Sequence, residues 1–167
     1  MSAIASVYMI DKSKLEELKK MAGVVPEIRK SLFGKVKETV DPFWEWFQKN
    51  TVRIASYNGS GFIYPTLIVY LEEKRGVDLL KLEMKDVSDY VSEKRPYLKI
   101  LITPEEASRL APRLEPSSFS VEEVMKFFQE FEEKEPPPAV NIIEAIQMLH
   151  DSMLKVDPDQ IMVFDVG

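Results

Sequence analysis

The chain holds one histidine, His150, and no cysteine. Those two counts bound its chemistry. Disulfides, thiolate zinc sites, iron–sulfur clusters and a cysteine nucleophile are excluded, and a histidine-rich metal centre has no ligands to draw on. Hydroxyls, carboxylates and one imidazole remain. His150 is therefore the first candidate for a general base. On a helix it stands about 40° from Ile146 and close to Ile143 and Ala139. It lies at the edge of the apolar stripe of Ile142, Ile146, Leu149 and Met153. The position suits a base at the rim of a pocket, or a half-buried histidine bonded to a carbonyl, and the second needs fewer special circumstances. Asp151 is not expected to orient it, because adjacent helix residues do not face each other.

The run Tyr57-Asn58-Gly59-Ser60-Gly61 is the second candidate and the clearest turn in the chain. Its glycines allow the backbone to approach a ligand, and a helix that follows it offers free N–H groups to an anion. It lacks the Lys-Ser/Thr pair of a P-loop and the full G-x-S-x-G pattern of a nucleophile elbow. Ser60 acts as a nucleophile only if the fold brings it to His150 and an aspartate. The plainer reading is a tight turn.

Phe43, Trp44, Trp46 and Phe47 place four aromatic rings within five positions. Phe43 and Phe47 share a helix face, whereas Trp44 and Trp46 point about 200° apart. Core packing accounts for the phenylalanines; Trp44 or Trp46 is left as a candidate wall for a ligand or partner. The pairs Glu105/Glu106, Glu122/Glu123 and Glu132/Glu133 resemble catalytic or metal-binding carboxylates, but the first two fall in the first turn of a helix, where they complement the dipole. Asp157, Asp159 and Asp165 have neither the spacing nor the central glycine of an EF-hand loop. No metal and no cofactor are expected.

Charge is unevenly distributed along the 167 residues. Positions 1–100 carry 17 basic and 14 acidic side chains, and positions 101–167 carry 5 and 14, for an overall net charge of −6. An acidic chain argues against nucleic acid as the main partner. The acidic C-terminal part suits either a solvated face or a docking surface for a basic protein. No apolar run approaches the roughly 20 residues that span a bilayer, and the N-terminus has no basic lead into an apolar run. With no cysteine, the expected setting is cytoplasmic, away from membranes.

The elements that must position these residues can be read from periodicity and caps. Residues 3–10 form a strand apolar on both faces. Asp11 caps a helix, with Ser13 and Glu16 as a capping box and Gly23 as its stop. Residues 26–40 are expected to be helical with a weak point at Gly34. Asp41-Pro42 starts the aromatic helix. Residues 51–57 form a strand with Val52 and Ile54 on one face. Residues 64–75, apolar on nearly every side and ended by Gly76, form a central helix. Leu80, Leu82 and Met84 alternate with charges, as in a half-buried strand, and a short helix follows at 86–93. A strand at 97–102 leads into Thr103-Pro104-Glu105-Glu106, a complete helix start. Ser120 and Glu123 repeat the device ahead of a stripe of Val121, Val124, Phe127, Phe128 and Phe131. Glu132 to Pro138 joins that helix to one at 139–156, and 160–166 is a terminal strand. The expected fold is a single α+β domain over 1–167: a mixed sheet of four to five strands with five to seven helices around it. The strands at 3–10 and 161–166 lie centrally in that sheet or pair across a homodimer.

The opening Ala5-Ser6-Val7-Tyr8-Met9-Ile10-Asp11, running into Leu15, Glu16, Glu17 and Leu18, resembles the YfbM-like bacterial domains. So do the Trp-containing helix at 41–50 and the closing Ile161-Met162-Val163-Phe164-Asp165-Val166-Gly167. That family has no established activity. The resemblance implies a cytoplasmic α+β domain and transfers no catalytic residue. The residues thus point first to a non-enzymatic interaction or inhibitory module with an acidic C-terminal surface and a basic partner. The alternative is a small-molecule or hydrolase-like site built from Tyr57, Asn58, Gly59, Ser60, Gly61 and His150, walled by Trp44 or Trp46.

Overall fold

A computed structural model describes residues 3–30, 37–131 and 136–167. Four strands form the main sheet: β1 (Ala5–Asp11), β4 (Thr51–Ser56), β5 (Leu98–Ile102) and β6 (Gln160–Val166), in the order β4-β1-β6-β5. The fold is α+β as expected, but every pairing in this sheet is antiparallel rather than mixed. The apolar strands β1 and β6 occupy the centre, so neither has a free edge to offer a second copy. Side chains alternate along them. Ala5, Val7, Met9, Met162 and Phe164 face one core, while Ile10, Ile161 and Val163 face another. Both faces of the sheet are therefore covered, which explains why these strands read as unbroken apolar runs.

Helices α3 (Ile63–Arg75), α5 (Pro104–Leu110), α6 (Val121–Phe131) and α7 (Ala139–Met153) cover the larger core. Helices α1 (Leu15–Ala22), α2 (Pro42–Asn50) and α4 (Lys85–Lys94) cover the smaller one. α3 is central, with Tyr64, Leu67, Tyr70 and Leu71 each at 0% exposure. Gly76 ends it with a left-handed φ of 61°, a conformation that favours glycine. Asp41 and Thr103 cap α2 and α5 as their sequences predict, and the Thr103–Glu106 capping box is complete. Gly23 follows α1 with an ordinary φ of −80°. Its lack of a side chain matters instead because a Cβ would meet the Tyr90 hydroxyl at 2.9 Å.

Three elements depart from the sequence reading. The described residues of 26–40 are not helical: β2 (Glu27–Lys30) and β3 (Lys37–Val40) form a separate two-stranded antiparallel ribbon, with Arg29 in register with Glu38, and residues 31–36 lie outside the described ones. Pro26 and the β-branched Ile28, Thr39 and Val40 favour extended backbone; Gly34 lies outside the described residues. Residues 80–84 form turns and bends, not a strand, and α4 begins at Lys85. Asp78 accepts the Leu80 N–H at 3.1 Å, and the Glu83 N–H goes to the buried Glu106 carboxylate at 2.7 Å, so neither donor serves a strand ladder. Finally, the β1–β4 register slips between Val7 and Tyr8, leaving Ile54 as the extra residue of a bulge. Val52 and Ile54 consequently do not share a face: Val52 is exposed and Ile54 is half-buried.

The two edges of the sheet differ. On β5, the Lys99 and Leu101 N–H groups donate to the hydroxyls of Ser92 and Ser88 on α4 at 2.9 and 3.0 Å, which closes that edge. β4 carries the bulge and the exposed Arg53, both of which discourage further pairing. Among the described residues no helix is long and apolar enough to cross a membrane.

Candidate functional site

The turn before α3 lies against the start of β1. Tyr57 N–H donates to Ala5 O at 2.8 Å and Gly61 N–H to Ala3 O at 2.9 Å. A Cβ on Gly61 would come within 3.1 Å of the Ala3 and Ile4 backbone, and one on Gly59 within 2.7 Å of the Tyr57 ring. These glycines admit the chain's own backbone and a tyrosine ring, not a ligand. The exposed Ser60 hydroxyl accepts the Phe62 N–H at 3.4 Å.

His150 is 8% exposed in the last turn of α7. Its Nε2 lies 3.3 Å from Glu115 and its Nδ1 lies 3.0 Å from Asp151. The expectation that Asp151 faces away is thus corrected. The Gln147 amide donates to Asp151 Oδ1 at 2.6 Å from one turn back, and in that position the same oxygen meets the neighbouring imidazole. Glu115 joins two 3-10 turns, 111–114 and 116–118, held by Arg75, whose guanidinium donates to the carbonyls of Arg113 and Ser118 at 3.1 Å each. No hydrogen bond joins Ser60 to His150. The structure therefore assembles an imidazole between two carboxylates, without the serine.

Tyr57 and Asn58 do line a shallow cleft with Ser56, Glu144, Gln147, Met148 and Asp151, about 270 Å³ in volume. The Tyr57 hydroxyl donates to Asn141 O at 2.9 Å. Burial, and then the Glu144 carboxylate, raise its pKa above the ordinary tyrosine value and keep it protonated. Tyr64 behind it is raised further, again by burial first.

Trp44 and Trp46 stand elsewhere. They belong to α2 and pack in the smaller core, on the opposite side of the sheet from Tyr57 and Tyr64. They cannot wall the same pocket. Trp44 instead meets Lys99, a cation with 0% exposure whose Nζ lies 5.4 Å from the indole ring and 5.9 Å from that of Tyr97. Lys99 donates to Asp165 at 2.9 Å and to Pro96 O at 3.0 Å. Arg95, 4% exposed, pairs with Asp41 at 2.9 Å, donates to the carbonyls of Met21 and Val24, and lies 4.5 Å over the Phe43 ring. Sequence reasoning missed both cations. Their only signal is two basic residues heading an otherwise apolar strand, and most such residues are solvated.

Several acids of the C-terminal part are exposed, some of them on the helices of the larger layer. Exposed Glu122 and Glu123 begin α6, exposed Glu144 lies on α7, and exposed Asp157 and Asp159 precede β6. None of the five forms an ion pair with a described residue. Among them are exposed apolar side chains, Val121 at 50% and Val140 at 59%. An open groove of about 660 Å³ is lined by Met125, Gln129 and Pro136 to Pro138. Among the described residues no group of three or more carboxylates and imidazole could hold a metal ion. Compared with protein-family models, curated proteins and solved structures, the chain matches none.

Proposed function

We propose that this chain is a non-enzymatic protein-interaction or inhibitory module that presents the outer side of α6 and α7 to a basic partner. One observation carries the reading: Glu122, Glu123, Glu144, Asp157 and Asp159 form no ion pair with a described residue, although Glu130 on α6 pairs with Lys126 at 3.9 Å. On the rest of the surface some exposed charges are matched on the chain itself, as in Lys14–Glu17 at 3.1 Å, Lys81–Asp78 at 2.8 Å and Lys94–Glu93 at 2.7 Å. An uncompensated acidic field steers a basic partner at low salt and weakens as salt screens it. The exposed valines and the Met125–proline groove add apolar area that gives a charged contact persistence. Both nitrogens of the only histidine are already engaged by carboxylates, which supports a binding role over a hydrolytic one.

Poly-lysine is the direct probe. Wild-type protein is expected to bind it at low salt and release it at high salt, and the triple variant Glu122→Lys, Glu123→Lys, Glu144→Lys is expected to lose binding. Equal binding by both proteins would overturn the reading. The cleft beside Tyr57 favours a second one: its two carboxylates, Glu144 and Asp151, suit a small organic cation. Thermal stabilisation by such cations that disappears in Glu144→Gln would support that alternative.

A further inference from the structure

The edge strand β4 borders two clefts of about 270 Å³ each and of opposite character. On the larger-layer side its last residue, Ser56, joins Tyr57, Glu144 and Asp151 in the acidic cleft. On the smaller-layer side Thr51 and Arg53 of β4 join Tyr8 of β1 and Gln48 of α2. That second lining holds, among the described residues, one cation and no carboxylate.

Strand register and the end of α2 bring these four side chains together. Arg53 is the cross-strand partner of Tyr8, and Thr51 is the partner of Ile10, so Tyr8, Thr51 and Arg53 project from one face of the strand pair. The Asn50 amide donates to Trp46 O and the Thr51 hydroxyl to Phe47 O, at 2.8 Å each, which fixes the end of α2 beside β4. The Tyr8 ring stands edge-on to Phe47, centroids 5.0 Å apart, and so rests against the smaller core.

Three of the four residues keep unspent donors. Arg53 is exposed and forms no ion pair, and neither the Tyr8 hydroxyl nor the Gln48 amide has a hydrogen-bond partner among the described residues. The residue opposite Arg53 is a phenol rather than an acid, so the sheet does not neutralise the cation. A guanidinium has five N–H groups and no acceptor, and its planar fork matches the two oxygens of a carboxylate. The carbonyl end of α2 borders the same cleft, and its dipole disfavours a build-up of negative charge. One cation beside that end suits a singly charged anion better than a doubly charged one.

We infer that this cleft binds the carboxylate of a small organic acid, with Arg53 holding both oxygens and Tyr8 and Gln48 donating alongside. The site is separate from the acidic layer and does not depend on the function proposed above.

Heteronuclear NMR of the isotope-labelled full chain, titrated with acetate, benzoate and inorganic phosphate, tests this. The Arg53 and Gln48 side-chain N–H signals should shift saturably with both acids, and phosphate should bind more weakly. Arg53→Gln, followed at Gln48 and Thr51, should weaken carboxylate binding by about tenfold or more. Arg53→Lys keeps the edge strand charged but loses the fork, and should fall between the two. Tyr8→Phe should weaken binding about threefold. Lys155→Gln, which removes an exposed cation outside the cleft, should bind as the wild type does. Retained backbone amide signals show that each variant is folded. Shifts that never saturate, equal binding by wild type and Arg53→Gln, or an equal loss in Lys155→Gln would overturn the site. Phosphate bound more tightly than both acids would overturn the assignment to a carboxylate.

Discussion

On one face of the sheet Leu18, Phe43, Phe47 and Val91 share their core with two buried cations, Arg95 and Lys99; on the other, Tyr64, Leu67, Phe128 and Ile146 pack with no buried lysine or arginine among them. The smaller layer has three helices, two of them short, and a ribbon that stays outside. Its cations fill space that apolar side chains leave open: Arg95 ties the end of α1 to the cap of α2, and Lys99 joins β5 to β6 under Trp44. Buried ion pairs of this kind hold geometry more than they add stability, because desolvation offsets much of the attraction. The larger layer closes by apolar area and ring contacts such as Tyr64–Phe164 at 4.8 Å and Tyr57–Tyr64 at 5.5 Å. One layer is therefore sensitive to losing a single partner and the other to losing volume.

The sharpest break is Arg95→Ala. It leaves Asp41 unpaired and two carbonyls without donors at a buried site, so a loss of about 3–5 kcal/mol is expected. Because both tryptophans lie on α2 in this layer, the denaturant midpoint followed by tryptophan fluorescence reads it directly. Phe128→Ala in the larger layer should cost a similar ~3–5 kcal/mol, through a cavity alone. The difference between the layers appears with a second substitution. Lys99→Met should destabilise by about 2–4 kcal/mol by stranding Asp165, and Lys99→Met with Asp165→Val should recover most of that. A double variant no better than the single would show that the pair itself supplies net stability.

Alkaline pH should act mainly on the larger layer. Tyr57, Tyr64 and Tyr70 all have pKa values raised in the fold, with burial the leading cause in each. The folded state then holds their protons more tightly than the unfolded state. Their contribution is complete below the unfolded value of about 10 and is lost as pH rises beyond it. Denaturation midpoints measured from about pH 8 to 11 should fall across the upper part of that range, and Tyr64→Phe should flatten the fall. An unchanged slope in that variant would place the sensitivity elsewhere. A smaller effect is expected at the closed edge: Thr103→Ala removes the capping box that begins α5 and should cost about 1 kcal/mol. Glu122→Lys with Glu123→Lys reverses two charges in the first turn of α6 and should likewise cost about 1 kcal/mol, while weakening the binding proposed above.

Much of this architecture is legible in the chain because its signals are local. Thr103-Pro104-Glu105-Glu106 is a helix start wherever it is placed, Asp41-Pro42 likewise, and the apolar stretch 64–71 is buried on nearly every side, with Pro65 exposed and Val69 half-buried. Leu80, Leu82 and Met84 misled because period-2 alternation over a few residues also fits turns that bury every third residue, as Leu79 and Leu82 do. Residues 26–40 misled because their charges suit a helix surface as well as a ribbon. The candidate site was legible only in part. Tyr57 and Asn58 do border a cleft, but Ser60, His150 and the tryptophans fall to three different surroundings.

Composition alone determined the absence of thiol chemistry, the single imidazole and the split between a nearly neutral first hundred residues and an acidic remainder. Local pattern and capping chemistry determined most of the helices and the central strands. Only the tertiary structure decided which residues meet: that Asp151 and Glu115 both reach His150, that Arg95 and Lys99 lie inside, and that α1, α2 and α4 pack on one face of the sheet while α6 and α7 pack on the other. The reason is range. Caps and periodicity act within a turn or two of the chain, whereas a buried cation or a matched surface depends on partners dozens of residues away, brought together only when the sheet closes.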